Sequence, residues 1–403
     1  MSETETSSAT GERGRLVLHM GQHKTGSSAL QLWLRENDAL LRAAGIDFPA
    51  KFAGRNGNGS KLATILCNAK ADRSDAEAAI VKDFHRYLAK SGPTTKIFSA
   101  ERFGAMILRP GFEMDGSLKN FREEKTFLRS VRALGKKGDG HDITAVILLR
   151  NVLDYRTSSM NQRRKKILPL KRNAKAEHAA KMDGISYAEK LDFLRSEGLD
   201  IRVGAYPFSR DKSLSQYIFE VADIPFPDAV ELSVSMANES TGTHGLIIAG
   251  FLRHVLAFSP ESSNALRRYL ADETLKASAA EGDEPFRFYS AEQQAEVEAR
   301  LAPDLAKLEP YLGADGVETL SKSKYAVGYA SPTCWHDLDD AGRATSKAIL
   351  ARVLAKLDAK EDGTPPVSDA LRRSFEDIEN SPIGACEGTE EEFAHTKSHP
   401  VPA

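Results

Sequence analysis

The chain has 403 residues, enough to bury a sizeable core in one large domain or two. Hydrophobic residues make up 41% and charged residues 28%, an ordinary globular balance, and a formal net charge of −2 argues against nucleic-acid binding through a basic surface. The longest clean apolar run, 143–149, is broken only by Thr144 and falls far short of a membrane span, so no stable membrane insertion is expected.

Residues 1–13, rich in Ser, Thr and Glu and without an apolar core, read as a disordered leader and not as a signal peptide. Cys67, Cys334 and Cys386 are scattered, without metal-ligand spacing, and are expected to be reduced thiols of a cytoplasmic protein. The stretch that organises the chain follows the leader. Leu16-Val17-Leu18 opens a buried strand running to Met20, a polar turn spans Gly21 to Gly26, and Ser27 and Ser28 offer an N-cap. Leu30, Trp33, Leu34 and Leu41 then recur at helical spacing, which predicts a helix over 29–44 that stops at Gly45. Strand, glycine-flanked loop and helix together aim backbone N–H groups and the positive end of a helix at one spot. Lys24 adds a full charge there, and Thr25, Ser27 and Ser28 add hydroxyls, so a phosphate-like group is the natural guest. The loop is not a Walker A sequence, which needs its lysine after the second glycine; here Lys24 precedes Gly26.

Beyond the loop, a short strand is expected at 45–49, an irregular Gly/Asn-rich loop at 54–60, a helix at 75–91 and a strand at 96–99. A helix over 119–134 and a glycine-rich link lead into Ile143 to Arg150, the most strand-like run of the chain. A helix at 151–167, a strand at 199–205 and a helix at 214–222 complete the alternation. Strands alternating with helices predict an α/β fold, a central parallel sheet flanked by helices, over 14–225. From about 235 to 330 the pattern is mainly helical, with helices at 245–258, 263–279 and 291–308, the last broken or kinked at Pro303. Residues 331–403 read as one amphipathic helix at 341–357 and a mobile tail holding a short helix near 368–379.

The loop resembles the one that grips the 5′-phosphosulfate in sulfotransferases using 3′-phosphoadenosine 5′-phosphosulfate (PAPS). In bacterial members it reads much like Gly-x-His-Lys-Thr-Gly-[Ser/Thr]-[Ser/Thr]-x-x-Gln, which this chain meets at Gly21, His23, Lys24, Thr25, Gly26, Ser27, Ser28 and Gln31. An arginine at a strand end with a serine eight residues later, here Arg150 and Ser158, is similar to the pattern by which that family holds the 3′-phosphate. Guanidinium forks suit the task. The resemblance covers roughly 14–225 and implies a P-loop NTPase-like sulfotransferase domain over 14–330. It also implies PAPS as cofactor, PAP (adenosine 3′,5′-bisphosphate) as product, and no metal. The cofactor residues would be Gln22, His23, Lys24, Thr25, Gly26, Ser27, Ser28, Arg150 and Ser158, with Tyr206 near the adenine, although Pro207 replaces the acidic residue of familiar cytosolic members.

Sulfuryl transfer is an in-line displacement governed by positioning and charge stabilisation. Lys24 would neutralise charge on the leaving oxygen. Glu101, where several carbohydrate sulfotransferases carry a glutamate, and His23 are the two candidates for the base that takes the acceptor's proton. The acceptor would be a hydroxyl of a small molecule, glycan or lipid; the basic run 163–166 reads as a solvated surface. Two other readings compete: a P-loop-type kinase using ATP and magnesium, and a non-catalytic nucleotide-binding module.

Overall fold

The computed structural model describes residues 14–22, 25–54, 57–67, 73–90, 95–107, 141–164, 187–196, 198–207, 212–227, 242–257, 263–287, 289–323, 331–332, 335–359, 365–376 and 378. Among them, no helix is long and apolar enough to cross a membrane. The α/β expectation is met by a five-stranded sheet, parallel at every pairing, in the order β2-β3-β1-β4-β5. The strands are β1 (Arg15–His19), β2 (Ile46–Asp47), β3 (Thr95–Ser99), β4 (Asp142–Arg150) and β5 (Asp200–Tyr206).

Parallel strands need both faces covered, and the side-chain alternation shows how that is done. Leu16, Leu18 and Met20, with Ala145, Ile147 and Leu149, pack in one core with Leu62, Phe84, Leu191 and Leu320 from helices Ser60–Cys67, Asp75–Lys90, Tyr187–Ser196 and Glu309–Ser321. Val17, Ile97, Val146 and Leu148 point the other way. They join Leu30, Trp33 and Leu34 of helix α1 (Ser27–Glu36) and Ile218 and Phe219 of helix Leu214–Val221.

Several elements differ from the expected ones. The helix over 29–44 is two helices, α1 and Asp38–Ala43, divided at Asn37, whose side chain and backbone N–H both bond Trp33 O. Its N-cap is Gly26, in the left-handed region at φ 85°, and not Ser27 or Ser28. Pro303 lies inside the helix Ala291–Ala306; the non-helical backbone comes later, at Gly313 within Glu309–Ser321, a helix the periodicity did not reveal. The expected helix at 119–134 and the basic run 165–166 lie outside the described residues, as do the leader and 379–403.

The chain divides into two compact units. The first, residues 1–152, 175–237 and 298–323, holds the sheet. The second, residues 153–174, 238–297 and 324–403, is built on helices Thr243–Ala257, Asn264–Ala280, Asp340–Asp358 and Pro365–Glu376. Their core gathers Ile248, Leu252, Leu270, Trp335, Leu350, Val353, Leu357 and Leu371, so the short helix expected in a mobile tail has buried anchors. In this unit Asp283 accepts hydrogen bonds from His244 N, His244 Nδ1, Gly245 N and Ser278 Oγ. Burial alone would push its carboxyl up; these bonds outweigh burial and hold it below the ordinary value.

Helix Glu101–Ile107 sits close on the backbone where β1 ends. A Cβ on Gly104 would lie 2.3 Å from Gly21 O and 2.7 Å from Met20 O. Alanine is the better helix former by about 1 kcal/mol, but an overlap with two backbone oxygens costs more. Gly104→Ala is expected to lower stability by about 1–2 kcal/mol in a urea denaturation series.

Candidate functional site

Open parallel sheets present their sites beyond the carboxyl ends of the strands. The residues found there are His19 on β1, Ser99 on β3, Arg150 on β4 and Tyr206 on β5. After β1, residues 20–22 and 25–26 precede α1. Gly26 caps α1 without a side-chain hydrogen bond, so no side chain of the cap takes up the first N–H groups of this ten-residue helix. Thr25 is buried and its hydroxyl donates to Gln22 O (2.8 Å), which folds the turn on itself. Ser27 is buried with no hydrogen-bond partner for its hydroxyl, and Ser28 is exposed.

Gln22 is a structural tie. Its amide Nε2 donates to Tyr187 Oη (2.5 Å) and its Oε1 accepts from the Arg150 backbone N–H (2.9 Å). The side chain therefore joins the loop after β1 to the end of β4, and its polar atoms face those two partners. Arg150 is buried, with its guanidinium 5.4 Å from the centre of the Tyr206 ring; the two residues are register partners on β4 and β5. Asn151 anchors the next turn by donating to Leu320 O (2.7 Å).

Glu101 is half-buried and opens the helix after β3, close enough for its charge to act on His19. His19 is fully buried; Nδ1 contacts Ser99 Oγ at 2.9 Å, and Gln31 Nε2 donates to the same oxygen at 3.1 Å. Burial pushes the imidazole down to about 4, against the raising effect of Glu101.

Of the expected site residues, Gln22, Thr25, Gly26, Ser27, Ser28, Glu101, Arg150 and Tyr206 fall on the carboxyl side of the sheet, in the loop and elements around strand ends. Ser158 is half-buried on helix Val152–Arg164. His23 and Lys24 lie outside the described residues. The residues that the motif did not single out as functional are His19, Ser99 and Tyr187. A signal existed for the first two: each is a polar residue that directly follows an apolar run, Leu16-Val17-Leu18 and Ile97-Phe98. Among the described residues, no three His, Cys, Asp or Glu side chains gather into a set that could hold a metal ion. Comparison of the chain with known protein families, curated proteins and solved structures gave no match.

Two measurements follow from this geometry. Gln22→Ala would leave Tyr187 Oη and the Arg150 N–H without their partner and open a void, so stability should fall by about 1–3 kcal/mol, read from the urea midpoint. For His19, the folded group titrates near 4 and the unfolded one near 6.5. Between those values the unfolded chain binds a proton that the fold does not. Stability present above pH 6.5 is then lost as pH falls toward 4, on the order of 3 kcal/mol in all. The slope of stability against pH in that window should flatten in His19→Gln, whatever that substitution does to stability at neutral pH.

Proposed function

We propose that this chain is a sulfotransferase that moves a sulfuryl group from PAPS to a hydroxyl acceptor, with a core of the P-loop-like sulfotransferase type. One observation carries the reading. The start of α1, whose N-cap Gly26 makes no side-chain hydrogen bond, follows the central strand, and the buried Arg150 ends the neighbouring strand, its backbone tied to Gln22. A nucleotide with phosphate-type groups at both its 5′ and 3′ positions needs two such cationic or donor-rich points.

The residues present fit that guest. Ser27 Oγ is a buried hydroxyl without a partner at the start of a helix, where an anion is favoured. Ser27, Ser28 and the first N–H groups of α1 would hold the phosphosulfate, and the Arg150 guanidinium the 3′-phosphate. PAPS supplies the activated sulfuryl group. Lys24 and His23 keep the roles the family resemblance gives them, and Tyr206, its ring centre 5.4 Å from the Arg150 guanidinium, is the aromatic surface for a base. Glu101 is the favoured proton acceptor: it is half-buried, opens the helix after β3, and carries a carboxylate at the carboxyl edge of the sheet. The acceptor class is a small-molecule, glycan or lipid hydroxyl.

Calorimetric titration with PAP, beside ATP and magnesium, tests the reading. Wild-type protein should bind PAP without metal and in preference to ATP–magnesium. Affinity for PAP should fall about 10–100-fold in Arg150→Ala and in Lys24→Ala, the scale of a lost charge-assisted phosphate contact. Preference for ATP–magnesium would overturn the assignment in favour of a kinase. Tight PAP binding with no sulfuryl transfer to any hydroxyl, unchanged in Glu101→Gln, would leave a binding module.

A further inference from the structure

Two buried polar atoms without partners converge on one glycine. A Cβ on Gly21 would lie 2.3 Å from Ser27 Oγ and 3.3 Å from His19 Nε2. Both side chains are at most 1% exposed, and among the described residues neither atom has a hydrogen-bond partner. Leaving two such atoms unsatisfied is costly, and native folds rarely do so without a use.

Gln31 Nε2 can only donate, so Ser99 Oγ accepts from it (3.1 Å), and the Ser99 proton is then available for His19 Nδ1 at 2.9 Å. A neutral imidazole that accepts at Nδ1 carries its one N–H on Nε2. Nε2 and Ser27 Oγ are both neighbours of the point a Gly21 Cβ would occupy. A hydroxyl that accepts from that N–H has its proton left to donate outward, and an oxyanion accepts only.

We propose that Gln31, Ser99, His19 and Ser27 form one directed hydrogen-bond chain, closed by the link from His19 Nε2–H to Ser27 Oγ when a phosphate or sulfate group docks at the start of α1. In this chain Ser27 touches the anion, while His19, Ser99 and Gln31 are positioning residues. Hydrogen bonds that all point one way polarise one another and strengthen the last donor. Burial supports the arrangement, because it keeps His19 uncharged through the neutral range.

The inference rests on the nucleotide site proposed above. The test is a double-mutant cycle in PAP affinity by calorimetry, with Ser27→Ala, Ser99→Ala and the pair. Ser27→Ala should weaken binding about tenfold, and Ser99→Ala about threefold although it lies outside the contact. The double variant should bind no more weakly than Ser27→Ala alone. Additive losses, or none in Ser99→Ala, would overturn the chain while leaving PAP binding intact. If wild-type protein does not bind PAP, the nucleotide reading fails, and the same cycle is run with inorganic phosphate; no phosphate binding or no coupling then overturns the chain as well. Should Ser99→Ala not fold, nitrogen NMR of histidine-labelled wild-type protein decides: a bare Nδ1 and a protonated Nε2 on His19 are expected, and the opposite tautomer excludes the proposed direction.

Discussion

β1 is hydrogen-bonded to β3 on one edge and β4 on the other, and apolar side chains cover both its faces. That constraint governs the first unit. A strand so enclosed cannot end in water; its last residue, His19, must find partners inside the protein, and the backbone after it must leave through a narrow exit. Gly21 provides the exit, because a side chain there would collide with Ser27 and His19. Gly104 provides room for the next helix to close over the same turn.

The consequence is that residues 22 and 25, on the way to α1, are held from several sides. Thr25 bonds back to Gln22, Gln22 reaches Tyr187 and the end of β4, and Ser99 and Gln31 brace the imidazole beneath. Each bond lies in a low-dielectric interior, where it is strong if made and expensive if missing. Groups fixed in this way are already oriented before any contact with a further group is made.

The second unit is held differently. Its core is helix against helix, with Trp335 and Phe251 each meeting the Phe375 ring edge-on at 5.2 and 5.3 Å. Asp283 binds the N–H groups at the start of helix Thr243–Ala257, the work a capping side chain does elsewhere, but from a residue distant in sequence.

The fold class was legible because continuous apolar runs such as Ala145 to Leu149 can only be buried strands, and their alternation with helical periods demands parallel pairing. Arg150 at the end of β4 was legible because a charged residue closes a continuous apolar run, and the turn after β1 because glycine and hydroxyl residues separate a strand period from a helical one. Helix Glu309–Ser321 escaped notice, since its start follows Pro303 and its middle holds Gly313 in a non-helical conformation, both breakers in a local reading. The first N-cap went to Gly26 because Ser27 turned inward, and no local rule foresees that. By itself the sequence determined which strands are buried and where the first strand gives way to the first helix, for these follow from composition and period along the chain. Only the tertiary structure decided that Gln22 is a tie, that His19, Ser99 and Gln31 lie together, and that helix Pro365–Glu376 has a core to join, because each depends on contacts between residues far apart in sequence.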